Sequence, residues 1–348
     1  MKKTLLLGAV AISLIACNEA PKQEDKTATQ VVENKYEGLA VKAKSFFGEL
    51  PKIAENEANL VTAEKVELGK KLYFDNRLSK DNSQSCNTCH NLATGGIDGV
   101  SAAIGHKWTA NPHHLNSPTV YNAVFMDTQF WDGRSPDLED QAQGPMQAQP
   151  EMAISKEMAT ERISSMKGYK EAFQESFGDD NISFKKIADA IGAFERTLVT
   201  PSPFDKFLNG DVNALNNKQK EGLKVFIDKE CASCHTGVGI GGSMQKFPAV
   251  KPYKYTDVGD FQGNKDGMVK TPTLRNITET APYFHNGAVW SLSEAIKIMG
   301  ETQLGIDLND KEVASIKSFL TSLEGEKPKV EYPVLPSVTD KTPKPNAH

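Results

Sequence analysis

The sequence has no run of five or more like charges, few strand signals and only five cysteines. Its formal net charge is -5, so the basic surface that nucleic-acid binding requires is missing and no nucleic-acid partner is expected. The scarcity of strand signals favours a mainly α fold. At 348 residues, 39% of them hydrophobic, the chain has the length and composition of about two soluble domains.

Four of the five cysteines lie in two C-x-x-C-H pentads, at residues 86–90 and 231–235. This is the attachment signature of a c-type haem, in which two thiols add to the porphyrin vinyl groups and the histidine binds the iron. A four-thiolate zinc site is the alternative, but its cysteine pairs usually lie about 15 to 20 residues apart. The spacing therefore predicts two covalently bound haem c groups. Their expected attachment residues are Cys86, Cys89, Cys231 and Cys234, and their proximal ligands are His90 and His235.

The N-terminus carries an export pattern. Lys2 and Lys3 precede an apolar run over residues 5–15, which is too short to cross a bilayer as a helix of about 20 residues. The run ends in Leu-Ile-Ala-Cys, which resembles a bacterial lipobox, so Cys17 is the predicted lipidation site. The alternative is an ordinary signal peptide that leaves Cys17 as a free thiol, a liability in an oxidising compartment. We expect a lipid-anchored protein on the periplasmic side of a bacterial membrane.

The pattern of polar and apolar residues predicts the order of the segments. Residues 1–16 form the signal peptide and 17–40 a flexible tether, because this stretch is polar and lacks apolar periodicity. A Thr-Pro-Ser-Pro sequence at 200–203 marks the boundary between a first domain, 41–199, and a second, 200–325. The proline-rich tail, 326–348, is expected to be an extended strap or disordered.

Several helices are indicated by their capping residues and apolar spacing. Thr62 is a plausible N-cap for a helix ending near Asp75, and Asn216 or Asn217 for its counterpart before the second pentad. Gly69 and Gly222 occupy matching positions in these two helices, which indicates an internal repeat typical of the start of a cytochrome c domain.

Three more helices are predicted in the rest of the chain. One spans residues 183–198, with its apolar residues on one face. Ser291 and Glu294 form a predicted capping box for a helix that Gly300 closes, and the last helix begins near Asn309.

The sixth ligand of each iron determines whether it only carries electrons or can also meet peroxide. Before the tail, the remaining histidines are His106, His113, His114 and His285, and the candidate methionines in the second half are Met244, Met268 and Met299. Composition alone does not choose between them.

Several longer motifs accompany the two pentads. The sequence resembles the bacterial di-haem cytochrome c peroxidases from about residue 55 to 325. The motifs are NSPTVYN at 116–122, QFWDGR at 129–134, Gly144-Pro145 leading to Glu151-Met152, TPTLRN at 271–276 and APYFHNG at 281–287. The resemblance implies two cytochrome c-like domains, with a peroxidatic N-terminal haem and an electron-accepting C-terminal haem.

The resemblance also implies roles for single residues. His106 matches the displaceable distal ligand of the N-terminal haem, and Met299 the distal ligand of the C-terminal haem; a thioether ligand raises the potential. Glu151 matches the acid–base carboxylate that moves the proton during O–O cleavage, with Gln141 assisting it by hydrogen bonding. Around Glu151 the sequence Ala-Gln-Pro departs from the family pattern, although the spacing from Gly144 is kept.

The resemblance implies two further features. Trp131 falls where the family has an aromatic bridge between the haems. Asn116, Thr280 and Pro282 match a calcium site made of one side-chain oxygen, main-chain carbonyls and waters, and such hard oxygen ligands suit Ca²⁺.

The expected function is reduction of hydrogen peroxide with electrons from a small cytochrome c or a copper protein. Family members resemble homodimers, so a homodimer is an expectation as well. One alternative is the related branch that matures the methylamine dehydrogenase cofactor, but that branch uses Tyr where this chain has Met299. The other is a di-haem electron carrier from which His106 never dissociates.

Overall fold

The computed structural model describes residue 36 and residues 38–346, and in this part the chain is mainly helical, as predicted. The predicted signal peptide, Cys17 and nearly all of the tether lie outside the described residues. The α-helices in chain order are α1 (Leu39–Lys44), α2 (Ala63–Phe74), α3 (Cys86–Cys89), α4 (Leu138–Gln147), α5 (Lys156–Ser164), α6 (Lys167–Phe177), α7 (Phe184–Glu195), α8 (Pro203–Leu208), α9 (Asn217–Asp228), α10 (Leu292–Leu304) and α11 (Asp310–Thr321).

Three of the predicted helix starts are confirmed by their capping hydrogen bonds. The Thr62 hydroxyl accepts from the Lys65 backbone N–H at α2, and Asn216 caps α9 in the same way. Ser183 caps α7. Each side chain satisfies one of the backbone donors that a helix leaves unpaired in its first turn.

The internal repeat is confirmed as two helix crossings built in the same way. A Cβ on Gly69 of α2 would lie 1.8 Å from the carbonyl oxygen of Ala190 on α7. A Cβ on Gly222 of α9 would lie 1.9 Å from the carbonyl oxygen of Ser315 on α11. Only glycine permits such a close approach of two helix backbones. Each half of the chain is therefore organised around one glycine-mediated crossing.

The helix after Ser291 differs from the prediction in two respects. Ser291 accepts from the Glu294 backbone N–H, but the Glu294 carboxylate bonds Lys254 and Tyr255 instead of returning to the Ser291 backbone, so the capping box is incomplete. The predicted stop at Gly300 is wrong, because α10 continues to Leu304. Gly305 ends it in a left-handed conformation, with φ of 70°.

Strand structure is confined to one short ribbon in the described part of the chain. Strands β1 (Met244–Lys246) and β2 (Met268–Lys270) pair antiparallel, with Met244 opposite Lys270. No helix among the described residues has the length and apolar character needed to cross a membrane.

The described part of the C-terminal tail is the extended strap that the sequence allowed. The tail contains no helix or strand from residue 326 to 346. It lies against the first half of the chain, where Arg77 donates to the Pro336 carbonyl at 2.7 Å and the Asn346 backbone N–H donates to the Lys80 carbonyl at 3.0 Å.

Candidate active site

One continuous, mostly apolar cavity reaches both pentads. Its lining includes the cysteines and the histidine of each C-x-x-C-H motif, together with other residues from both halves of the chain. Local sequence alone brings each histidine next to its cysteines, but tertiary packing brings the two pentads to a common cavity. The four thiols are all free of disulfide bonds.

The first histidine is held in an orientation that suits iron binding. His90 Nδ1 lies 2.9 Å from the carbonyl oxygen of Pro118, and the Tyr73 hydroxyl donates to the His90 carbonyl at 2.6 Å. Because Nδ1 is engaged by a carbonyl acceptor, it carries the proton and Nε2 stays free to bind a metal. Burial lowers the pKa of His90, which favours the neutral form that a ligand needs.

The second histidine has an unmatched buried nitrogen. Among the described residues, His235 Nδ1 has no hydrogen-bond partner, and burial lowers the pKa of His235 to about 4. Met299, on α10, lines the same cavity. A buried imidazole next to two thiols, in a mostly apolar cavity that a thioether also lines, is a donor set that fits haem c. The residues present therefore fit both haem groups that the sequence predicts.

The predicted acid–base residues line the cavity near the first pentad. Glu151 lies in the turn after α4, and Gln141 lies on α4 itself. Burial raises the pKa of Glu151, and the nearby Arg134 guanidinium partly opposes this effect. Arg134 stacks on Phe130, with its guanidinium carbon 3.5 Å from the ring centroid, and pairs with Asp132. A half-buried carboxyl with a raised pKa is suited to accepting and releasing a proton.

His106 lies beside this group but is not among the described residues that line the cavity. Its ring is 7% exposed, and its Nδ1 is 3.0 Å from Asp81 Oδ2. Its backbone N–H donates to the Glu151 carbonyl at 2.7 Å, which ties the two predicted site residues together. The next two residues, Lys107 and Trp108, have positive φ values of 59° and 57°. Such angles are uncommon for residues other than glycine, so this loop has a strained backbone.

Trp131 is buried in the cavity wall, and its indole N–H donates to the Asn116 carbonyl at 2.9 Å. The Asn116 side chain in turn donates to the Pro282 carbonyl at 2.7 Å, and Thr280 also lines the cavity. Asn116 of the predicted calcium site thus contacts both Trp131 and Pro282. No cluster of three histidine, cysteine or carboxylate side chains suited to a metal ion occurs in the described residues.

Several residues at the site carry no signal that sequence reasoning used. Asp81 and Lys270 belong to none of the motifs described above, and Arg134 belongs to the QFWDGR motif without an assigned role. Glu195, at the end of α7, lines the cavity, and burial raises its pKa to about 8. A charged residue late in an amphipathic helix normally faces solvent. Only the crossing of α2 and α7 places this one inside.

Comparisons with known proteins show which family this chain is similar to. Residues 63–213 match the family model for di-haem cytochrome c peroxidase, and residues 219–324 match the model for cytochrome c. Cytochrome c551 peroxidase of Pseudomonas aeruginosa is 43% identical over 89% of this chain and 93% of its own length. The crystal structure of a MauG-like protein associated with microbial copper homeostasis superposes with a TM-score of 0.71, at 26% identity, over 80% of this chain and 94% of that one.

The methylamine branch is a more distant match. Methylamine utilization protein MauG of Methylophilus methylotrophus is 30% identical over 80% of this chain and 88% of its own length. The peroxidase relative is therefore the nearer of these two sequences.

Proposed function

Because this chain belongs to the di-haem cytochrome c peroxidase family, we propose that its cavity reduces hydrogen peroxide to water with electrons from a small cytochrome c or a copper protein. The observation that carries this proposal is the shared cavity, which brings both haem-attachment pentads together with a half-buried glutamate. An electron carrier would need the pentads but would have no use for a proton-handling carboxyl beside the first of them.

Two sets of residues would hold the haems. Cys86, Cys89 and His90 would hold the first, and Cys231, Cys234, His235 and Met299 would hold the second. When bound, the haems supply redox-active iron for peroxide reduction and for electron storage. The protein supplies the ligands, the proton transfers and a largely apolar cavity.

Glu151 moves the proton in the proposed reaction. Cleavage of the O–O bond requires a proton to leave one oxygen of hydrogen peroxide and to reach the oxygen that departs as water. A single carboxyl can accept this proton and return it, and it does so best when its pKa is near the working pH. Burial shifts the pKa of Glu151 in that direction, while Arg134 limits the shift.

Gln141 and the cavity walls position peroxide for this transfer. The Gln141 amide can donate to one oxygen and accept from the other, so it holds the molecule without exchanging protons itself. Phe130 and Met152 provide apolar surface near Glu151. This surface excludes bulk water, which strengthens hydrogen bonds within the site.

His106 is proposed to exchange between two positions. Its side chain is buried against Asp81 in this structure, whereas the family resemblance makes it a displaceable ligand of the first haem. Strain at Lys107 and Trp108 is consistent with a loop that has a second conformation. We infer that peroxide gains access when His106 pairs with Asp81.

Replacement of Glu151 tests the proposal directly. In Glu151→Gln, peroxide turnover with a reduced cytochrome c donor should fall by about 10²- to 10⁴-fold, the range expected for loss of a general acid–base group. Haem content should remain that of the wild type. Glu161→Gln, an exposed glutamate on α5, is the matched control and should retain full turnover. Unchanged turnover in Glu151→Gln would refute the role of this residue.

The electron-carrier alternative is tested by rapid mixing with peroxide. The holoprotein is compared fully oxidised and after reduction by one electron. A fast reaction of the one-electron-reduced form supports the peroxidase, and a fast reaction confined to that form supports exchange of His106 as well. A slow reaction in both forms would favour the carrier.

Calcium, lipid attachment and dimer formation are also proposed. The oxygen atoms of Asn116, Thr280 and Pro282 would bind calcium if the Asn116 amide rotated, so that its NH2 group no longer donated to the Pro282 carbonyl and its oxygen faced the same ion. A chelator should then lower activity, and added Ca²⁺ should restore it.

The lipid anchor on Cys17 predicts that Cys17→Ser releases the protein from membranes. Sedimentation of the holoprotein tests the homodimer.

A further inference from the structure

Lys270 is a buried cation whose ammonium has no partner in the described part of the chain. The residue ends β2, lines the cavity and is 5% exposed. Burial lowers its pKa to about 8, and only the more distant charge of Asp132 opposes this effect. An ammonium withdrawn from water without a hydrogen-bonded anion is unfavourable, so such a group indicates a missing counter-ion.

The backbone holds Lys270 firmly in place. Its N–H donates to the Trp131 carbonyl at 2.8 Å, and β-pairing sets it opposite Met244. The next residue, Thr271, donates to the Ser243 carbonyl at 2.8 Å. The side chain therefore starts from a fixed point beside Trp131, in the wall of the cavity that reaches both pentads.

The other charged residues of the cavity do not supply the counter-ion. Glu151, Glu195 and Glu230 line the cavity, but none of them forms an ion pair with Lys270 within 4.0 Å. Arg134 is the other lysine or arginine among the described lining residues, and it is exposed and paired with Asp132. Of the two lysine or arginine side chains among the described lining residues, Lys270 is therefore the one without a carboxylate partner.

The cofactor that the cavity fits brings carboxylates of its own. Each haem carries two propionate groups, and in a mostly apolar cavity each ionised propionate needs a cation or hydrogen-bond donors. We propose that the Lys270 ammonium binds a haem propionate, and that this ion pair fixes the haem edge beside Trp131. The proposal rests on the presence of haem in this cavity, and so on the proposed function.

The direct test measures proximity in the wild-type holoprotein. Haem is labelled at the propionate carboxyl carbons by feeding carboxyl-labelled 5-aminolevulinate, and the lysine side-chain nitrogens are labelled as well. Solid-state magnetic resonance should detect a strong dipolar coupling between a propionate carbon and a lysine nitrogen. This coupling should disappear in Lys270→Arg, which keeps the charge and should keep the fold, and it should persist in Lys246→Met. Lys246 is an exposed lysine on β1 and serves as the matched control.

A second measurement tests the charge. In Lys270→Met, the unpaired propionate should take up a proton, so a labelled carboxylic-acid band should appear in the infrared spectrum at neutral pH. The midpoint potential of one haem should become pH-dependent over the same range. Wild type, Lys270→Arg and Lys246→Met should show neither change.

The absence of coupling in the wild type would overturn the proposal, and so would a Lys270→Met spectrum identical to that of the wild type. Both readouts are independent of peroxide turnover. A protein that shows the coupling but fails to reduce peroxide would refute the proposed function and leave the propionate site intact.

Discussion

His106 Nδ1 lies 3.0 Å from Asp81 Oδ2, and both side chains are less than one-tenth exposed. Burial would raise the pKa of Asp81, but hydrogen bonds from Ser83 and the charge interaction with His106 together lower it, so the carboxylate is ionised. An ionised acceptor makes a strong hydrogen bond to the imidazole N–H. This bond holds the His106 ring in a position outside the cavity lining.

Replacing Asp81 should therefore shift His106 toward the haem. In Asp81→Ala the ring loses its charged acceptor, a bond worth about 1.5–3 kcal/mol, so occupancy of the haem-bound position should rise by roughly 10-fold or more. We expect a larger fraction of six-coordinate, low-spin first haem in the one-electron-reduced protein, measured by electron paramagnetic resonance, and slower reaction with peroxide.

The matched control for this variant is Asp260→Ala. Asp260 pairs with His113 at 2.8 Å, but both side chains are more than half exposed. Its loss should leave the haem spin state unchanged. An Asp81→Ala protein with the wild-type spin state would contradict the inferred restraint on His106.

Arg134 should set the acid limb of the pH–rate profile. Its positive charge lowers the pKa of Glu151 and so opposes the effect of burial. In Arg134→Gln the pKa of Glu151 should rise, and the limb of kcat/KM that requires the ionised carboxylate should move to higher pH. Arg134→Lys, which keeps the charge, should show the smaller displacement. A profile of Arg134→Gln that moves to lower pH would contradict the assignment of this limb to Glu151.

A buried ion pair beside the cavity makes stability depend on pH. Arg196 donates to both carboxylate oxygens of Glu139, at 2.9 and 2.8 Å. Burial would raise the pKa of Glu139, but the hydrogen bonds from Arg196 and Asn59 lower it overall. The stabilisation is therefore present above the unfolded-state pKa of about 4.3 and is lost as the pH falls through the lower folded-state pKa.

Glu139→Gln should expose this contribution. At neutral pH the free energy of unfolding should fall by about 3–5 kcal/mol, because the variant leaves Arg196 as a buried charge without its carboxylate. The difference from the wild type should shrink in acid, where Glu139 is protonated in both states. Denaturant unfolding of the holoprotein measures both effects. Asp310→Asn, which removes an exposed partner of Lys297, should change stability little. If the difference in free energy of unfolding between the wild type and Glu139→Gln grew as the pH fell, a lowered pKa of Glu139 in the folded state would be contradicted.

The two glycine-mediated crossings should tolerate no side chain. In Gly69→Ala or Gly222→Ala, the added methyl would overlap a carbonyl oxygen of the facing helix. Separation of the helices should cost at least about 1–3 kcal/mol and lower the yield of haem-loaded protein. Gly168→Ala on α6 is the control, because its methyl would meet only the Pro336 ring, at 3.1 Å. In thermal unfolding, Gly69→Ala should be less stable than Gly168→Ala. Equal stability of the two variants would contradict a tight helix crossing at Gly69.

Local signals in the sequence account for a large part of the fold. Helix caps such as Thr62, Ser183 and Asn216 act within three residues, so their effect can be predicted from the neighbouring residues alone. The predicted helix end at Gly300 was wrong because tertiary packing, which local sequence does not reveal, explains this glycine. That glycine permits close packing against Leu308, whose side chain would lie 3.0 Å from an added Cβ, and does not end the helix.

The sequence by itself determined the two haem-attachment pentads, the helical class, the repeated glycine and the resemblance that points to Glu151, Gln141 and Met299. These features depend on spacing along the chain, which the covalent structure preserves. Only the tertiary structure decided that both pentads share a cavity, that Asp81 restrains His106 and that the Lys270 ammonium has no partner among the described residues. Such relationships join residues far apart in sequence, and the free energy of a buried charge depends on every group packed around it.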